Sequence, residues 1–275
     1  METVDVIIPF YSGSEWLDEA LTSVENQTHT VNRIIVVNDG SKENIDVVKS
    51  KHPSVCFYEK ENGGAASARN YGLSHSDGNF VFFLDSDDIW ANDKVEKQLY
   101  YMTSNNYMWC ATAYKTFGIT EEKVVVPYEC DKLCWKHIYN SCRIQTSTVA
   151  VRKEALREID KPFAEDMKNG QDVYLWFLLA CEYPLGVLKE PLTSFRIRGS
   201  NAHLNYVTHI RVRALLWEKI LSDPKLKKTK NIFTIFGYKL CHSLFVKSNG
   251  KIEPSAFKKI VFGIAWISFR IANLF

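Results

Sequence analysis

Apolar residues over the first ninety positions alternate between short continuous runs and helix-spaced stretches, which is the pattern of an α/β protein. Residues 4–9 (VDVIIP), 33–38 (RIIVVN), 55–58 and 79–84 (NFVFFL) are dense in Val, Ile and Phe and predict strands that are mostly apolar on both faces. Between the first two, residues 15–27 place Leu17, Leu21 and Val24 on one helical face, with Ser12 and Glu15 at capping-box spacing before it. Residues 65–74 predict a second helix, entered through Asn62-Gly63-Gly64. Strands and helices alternating at this spacing imply right-handed crossovers and a parallel sheet covered on both faces.

Further along the pattern is mixed: strands over 108–117 and 146–151, a hairpin-like passage through 124–127, and a helix over 172–181. After Asn205 it reads as basic helices separated by Asp223-Pro224 and Asn249-Gly250. The expected organisation is one domain over residues 1–205, with halves 1–105 and 106–205, followed by a basic helical extension over 206–275. Ligands of open α/β sheets bind beyond the carboxyl ends of the strands. Pro9-Phe10-Tyr11, Asp39-Gly40-Ser41, Asn62-Gly63-Gly64 and Asp85-Ser86-Asp87-Asp88 should therefore meet on one rim.

Composition narrows the class. With 46% hydrophobic and 24% charged residues in 275, the chain can bury a sizeable core and is neither disordered nor collagen-like. A net charge of +2 argues against a nucleic-acid binder that works by overall attraction. That total hides a division, because residues from Val207 onward hold 13 basic against 3 acidic groups and residues 1–206 hold 21 against 29. An acidic body joined to a basic tail suggests a partner for the tail. Seven cysteines, widely spread and without a CxxC pair, read as reduced thiols, and Cys130, Cys134 and Cys142 near His137 match no common zinc spacing. The N-terminus reads as neither a signal peptide nor a span, and no segment reaches the roughly 20 apolar residues a transmembrane helix needs. The expectation is a cytoplasmic protein whose membrane contact is peripheral. No GxGxxG follows the first strand, so dinucleotide binding has little support.

The strongest chemical feature is Asp85-Ser86-Asp87-Asp88, three carboxylates in four residues directly after a very apolar strand. Left alone they repel one another and at least one titrates high. A divalent cation resolves the conflict: Asp85 and Asp87 fall on the same side of an extended segment and offer hard oxygen donors suited to Mg²⁺ or Mn²⁺, with water and phosphate completing the shell. The same residues also suit an acidic N-cap for a helix beginning near Ile89, and the two readings are compatible.

The set VIIPFY, VVNDGS, NGGAASARN and FLDSDDIW, in this order, resembles the inverting family 2 glycosyltransferases over roughly residues 3–200, and is similar to those of bacterial surface-polysaccharide assembly. The resemblance implies a GT-A (Rossmann-like) α/β fold, with a mixed, mostly parallel sheet flanked by helices. It implies a nucleotide-diphosphate sugar as donor, foremost a UDP-sugar, with Asp39 on the uracil or ribose. Pro9 and Tyr11 would line the nucleotide pocket, Gly64 and Ser86 would join the donor contacts, and Asp85 and Asp87 would hold the Mn²⁺ or Mg²⁺ that bridges the diphosphate. Arg69 would reach the base or the phosphates, against the alternative of an exposed helical salt bridge. Physical sense agrees, since Gly63-Gly64 lets backbone approach a ligand and the helix N-terminus behind it favours an anion.

In the same family an acidic pair opens a helix before an apolar and tryptophan run, a register that NGQDVYLW fits with Asp172 as the base for the acceptor hydroxyl. Gln171 stands where Glu is usual, and an earlier pair, Glu165-Asp166, lacks the following helix pattern. The alternative for Asp172 is a carboxylate that only satisfies the helix dipole. FRIRGSN resembles the closing segment, with Arg198 in the usual place of a histidine, a diphosphate contact open to Arg196 or Arg198, and His203 left as the candidate histidine ligand. Thr146-Ser147 matches a stretch on the acceptor side. The implied reaction is a metal-dependent, inverting single displacement onto a glycan acceptor, with a lipid-linked one fitting the basic tail. Lys258-Lys259 ahead of an apolar stretch through 271 suits peripheral contact with the cytoplasmic face of a membrane, or else packing on the domain or a homodimer contact. Two other readings stay open: a catalytically silent sugar-nucleotide or glycan-binding module, because of Gln171 and Arg198, and a nucleotidyltransferase, disfavoured because its glycines do not follow the first strand.

Overall fold

Strands β1 (Val4–Phe10), β2 (Arg33–Asp39), β3 (Cys56–Lys60) and β4 (Phe80–Phe83) lie parallel in the order β3-β2-β1-β4, as their unbroken β-branched and aromatic runs predict. The structure is a computed structural model that describes residues 2–130, 132–140, 142–167, 169–198, 212, 215–216, 218–223 and 226. Helices α1 (Ser14–Glu25) and α3 (Gly64–Ser74) make the expected crossovers, and a short α2 (Asp46–Lys51) lies between β2 and β3. The sheet continues through β8 (Val149–Arg152), β6 (Trp109–Gly118), β9 (Gly186–Ile197) and β5 (Ile89–Trp90), with β7 (Val124–Val125) paired to β6. It is a mixed sheet, parallel among β1–β4 and between β6 and β9, antiparallel around β8.

The direction of β8 matters most for the site. Running against β4, it begins where β4 ends, so the 3₁₀ turn Thr146–Thr148 that precedes it is delivered to the carboxyl rim. The stretch predicted as a strand from 146 is strand only from Val149. Strand β9 runs with β6 and ends on the same rim, bringing Arg196 with it.

Apolar side chains alternate between the two faces. Val6, Ile8 and Phe82 pack with α1 and with α4 (Lys94–Ser104) through Leu17, Leu21, Val95 and Met102. Ile7, Val81 and Phe83 face α5 (Trp135–Asn140) and α6 (Gln171–Glu182) through Ile138, Leu175 and Trp176. Leu216, Ile220 and Leu226 join that second layer, so the described part of the basic tail packs on the domain. The stretch at 258–271, His203 and Cys241 lie outside the described residues. Among the described residues no helix is long and apolar enough to cross a membrane.

Two local expectations fail for identifiable reasons. The capping box of Ser12 and Glu15 does not form: Glu43, from the loop after β2, accepts from the Gly13 and Ser14 N–H groups at 3.0 Å and fills the orphan donors of α1. No helix begins at Ile89. Ile89 and Trp90 pair with Ser194 and Thr193 of β9, and Trp90, 2% exposed, donates its indole N–H to the Ser147 carbonyl. Asp87 and Asp88 therefore cap nothing; the helix starts at Lys94, behind Asp93.

Candidate active site

At the end of β2 the buried Asp39 carboxylate is completely engaged. Oδ1 accepts from Lys60 Nζ at 2.8 Å and Gly63 N–H at 2.9 Å, and Oδ2 accepts from Gly64 N–H at 2.7 Å. The aspartate thus fixes the glycine turn that opens α3. Gly64 takes φ +84°, while a Cβ there would meet none of the described residues within 4 Å, so the glycine is required for its backbone conformation. Pro9 is half-buried and Tyr11, 57% exposed, projects from the end of β1 on the same rim.

The acidic turn after β4 is the most heavily bonded part of the rim. Asp88 is buried; its Oδ2 accepts from Ser147 Oγ at 2.5 Å and its Oδ1 from the Arg196 N–H at 2.9 Å. The same Ser147 oxygen accepts the Asp85 N–H at 3.0 Å. Arg196 donates from Nε to the Asp87 carbonyl at 2.8 Å and from Nη2 to Glu19 at 2.6 Å, with its guanidinium 4.4 Å from the Phe117 ring centre. Burial, and then the charges of Asp87 and Asp85, push the Asp88 carboxyl well above the ordinary range. Asp87 is raised first by burial and then by Asp85, against the pull of Arg198.

Asp85 and Asp87 each face an arginine. Arg69, one turn inside α3, donates from Nη2 to Asp85 Oδ1 at 2.5 Å, and Arg198 Nε lies 2.9 Å from Asp87 Oδ2. Arg69 is 5% exposed and stands over Phe163, so it is a buried clamp on the acidic turn and not an exposed helical salt bridge; its Nε and Nη1 have no hydrogen-bond partner among the described residues. Each carboxylate keeps one oxygen outside its arginine pair, and the mutual repulsion that raises Asp87 is what a divalent ion between them would relieve. The donor set fits a hard cation that takes its remaining ligands from water and a diphosphate. Among the described residues no group of three or more His, Cys, Asp or Glu side chains is arranged to hold an ion unaided.

Asp172 stands in the first turn of α6, behind Gly170 at φ +81°. Its Oδ2 accepts from Thr146 Oγ1 at 3.1 Å and its Oδ1 from the Val173 N–H at 2.9 Å. Thr146 and Ser147 are consecutive, so one 3₁₀ turn ties Asp172 by one side chain and the Asp85–Asp88 turn by the next. The neighbouring acidic pair is turned elsewhere: Glu165 binds Asn70 and Lys161, and Asp166 pairs with Lys219 at 2.7 Å.

The rim gathers Asp39 with Gly64, and Arg69, Asp85, half-buried Ser86, Asp87 and Arg198 around Ser147, with Asp172 joined through Thr146. A cavity of about 1020 Å³ lies at the opposite strand ends, lined by Asn79, Arg152 and Lys161, and takes in none of these residues. Sequence reasoning missed Lys60 as the partner of Asp39 and Ser147 as the partner of Asp88. The one available signal was a small polar pair, Thr146-Ser147, opening an apolar strand.

Comparison with known proteins is consistent with this geometry. Residues 5–160 match the family described as Glycosyl transferase family 2. An uncharacterized glycosyltransferase of Rickettsia bellii is 35% identical over 204 residues, covering 72% of this chain and 29% of its own length. The chain spans about a third of the length of the first such relatives. WfgD of Escherichia coli, named as a UDP-Glc:alpha-D-GlcNAc-diphosphoundecaprenol beta-1,3-glucosyltransferase, is 30% identical over 178 residues, 63% of this chain and 68% of its own. The crystal structure of S. aureus TarS in complex with UDP-GlcNAc superposes with a TM-score of 0.70 at 18% identity over 98% of this chain and 81% of that one, a likeness of fold.

Proposed function

The chain belongs to glycosyl transferase family 2, and from that premise we propose that it moves a sugar from a nucleotide diphosphate to a hydroxyl of a glycan acceptor, with inversion at the anomeric carbon. The observation that carries the proposal is the Thr146–Ser147 link, which holds a carboxylate suited to proton abstraction beside an acidic turn suited to a diphosphate.

Asp172 takes the proton of the acceptor hydroxyl, whose oxygen forms the new bond to C1 as the bond from C1 to the diphosphate breaks and its electrons leave with the nucleotide. Arg69 and Arg198 orient the acidic turn, and Asp39 holds the glycine turn against which the nucleotide lies. Asp85 and Asp87 would hold a Mn²⁺ or Mg²⁺ ion, which would supply charge that favours departure of the diphosphate. The named substrates of WfgD favour a UDP-sugar donor and a lipid-linked acceptor. An acceptor on an anionic cytoplasmic leaflet also suits the basic tail.

Asp172→Asn tests the assignment. Transfer should fall by at least ~10²-fold, while calorimetry with UDP and Mn²⁺ should give wild-type affinity. Near-normal turnover in this variant would remove Asp172 from the mechanism, and binding without turnover in the wild type would favour a silent sugar-nucleotide module.

A further inference from the structure

Beneath the Thr146–Thr148 turn lies a charge that this chemistry does not use. Lys94, the first residue of α4, is fully buried. Its Nζ donates to Gln98 Oε1 at 2.5 Å and to the Thr148 carbonyl at 3.3 Å, and lies 5.1 Å from the Trp90 ring centre and 5.9 Å from that of Phe82. Gln98, also buried, donates from Nε2 to the same Thr148 carbonyl at 2.9 Å and to the Cys110 carbonyl at 3.2 Å. The Ser147 carbonyl receives the Trp90 indole N–H at 2.8 Å and Thr193 Oγ1 at 3.1 Å.

Two consecutive carbonyls of the turn are thus pinned from within the protein, while the side chains of Thr146 and Ser147 reach Asp172 and Asp88. Methionine would fill the volume of Lys94 without desolvating a charge, so packing alone does not call for lysine here. A strong donor aimed at a carbonyl does.

We propose that Lys94 is a positioning residue: through Gln98 and the Thr148 carbonyl its ammonium group sets the height of the Thr146–Thr148 turn, and with it the placement of Asp172 relative to the Asp85–Asp88 turn. The catalytic consequence rests on the transferase reading above. Burial lowers the Lys94 ammonium to about 7, so the strut loses its charge within the neutral range. Among the described residues Cys110 is the titratable group that faces it, with a thiol pushed up to about 12 and neutral over the pH range tested. The other elements packed on it present Phe82, Trp90 and Thr148, which carry no charge.

Lys94→Met and Gln98→Leu in the full chain test the strut by hydrogen exchange over residues 144–150, calorimetry with UDP and Mn²⁺, and hydrolysis of UDP-glucose and UDP-GlcNAc between about pH 6 and pH 9. Exchange over 144–150 should quicken about tenfold in both variants while β1 is unchanged, and kcat should fall about tenfold, since small misplacements of reacting groups are costly. UDP affinity should stay within about threefold, because Asp39, Arg69 and Arg196 hold the donor side independently. Wild-type kcat should decline above about pH 7 and that of Lys94→Met should not. Wild-type exchange in both variants overturns the proposal, as does an active wild type whose kcat and pH profile both variants reproduce. If Lys94→Met does not fold, Gln98→Leu, which keeps the charge, decides alone. A wild type that neither binds UDP nor turns over would sink the transferase reading, and exchange would still judge the strut.

Discussion

On the transferase reading proposed above, the rim has a donor wall and an acceptor wall, and the two are fastened to different degrees. On the donor wall Asp39 has both oxygens filled by Lys60 and two backbone N–H groups, and Asp88 is held by Ser147 and the Arg196 N–H. On the acceptor wall Asp172 has, among the described residues, only the Thr146 hydroxyl and the N–H of its own neighbour. A carboxylate whose oxygens are already filled by protein donors has little capacity left for a substrate proton, whereas one with fewer partners keeps lone pairs open to an acceptor hydroxyl. The heavily bonded acids therefore suit recognition and scaffolding, and the lightly bonded one suits proton transfer. Glu165 illustrates a third case: hydrogen bonds from Asn70 and then Lys161 hold its carboxyl below the ordinary range.

The largest effect should come from the donor wall. Asp39→Asn places an amide N–H₂ against one of three donors and leaves Lys60, mostly buried, without its charge partner. Breaking such a pair from one side costs about 3 kcal/mol, to be read from urea unfolding, and UDP affinity should fall at least ~10²-fold as the glycine turn loosens. Asp172→Asn should change stability by less than about 1 kcal/mol. If the two variants unfold alike, the contrast between the walls is wrong.

A smaller effect lies in the buried support of the acceptor wall and depends on pH. The folded chain releases the Lys94 proton near 7 and the unfolded chain only near 10.5, so the unfolded state carries more protons between those values and stability rises with pH across that window. From pH 7 to pH 9 the gain is on the order of 2 kcal/mol. Lys94→Met should lose that slope and equal or exceed wild-type stability at pH 7. Parallel stability curves for the two proteins would mean that Lys94 is not titrating where its burial places it.

The residues at the strand ends were far more legible in the sequence than the side chains that fasten them, and chain separation explains why. Asp39, Gly64 and Asp85 each follow a strand whose apolar run announces it, and parallel neighbours put their ends on one rim. Ser147 meets Asp88 across 59 positions and Arg196 meets Asp87 across 109, because an antiparallel strand is inserted beside β4 and a long strand returns at the far side. No local period encodes such pairings. The N-terminus of α1 makes the same point: local spacing predicted Ser12 and Glu15, and Glu43 arrived from 30 positions away. Lys94 was hidden differently, since lysine at the start of a helix reads as solvent-facing until Trp90 and Phe82 close over it.

The finest version of the contrast lies within one turn. Thr146→Val removes the hydroxyl that orients Asp172 but keeps the volume, and should shift stability by less than about 1 kcal/mol. Turnover should fall about threefold to tenfold at unchanged UDP affinity, with recovery in Thr146→Ser. Ser147→Ala, one residue on, leaves the buried Asp88 short of a donor and the Asp85 N–H short of an acceptor. It should instead lower stability and UDP affinity together. Adjacent residues with a turnover phenotype on one side and a binding phenotype on the other are what two separately fastened walls require; identical phenotypes would show that the turn moves as one body and that the walls are not mechanically distinct.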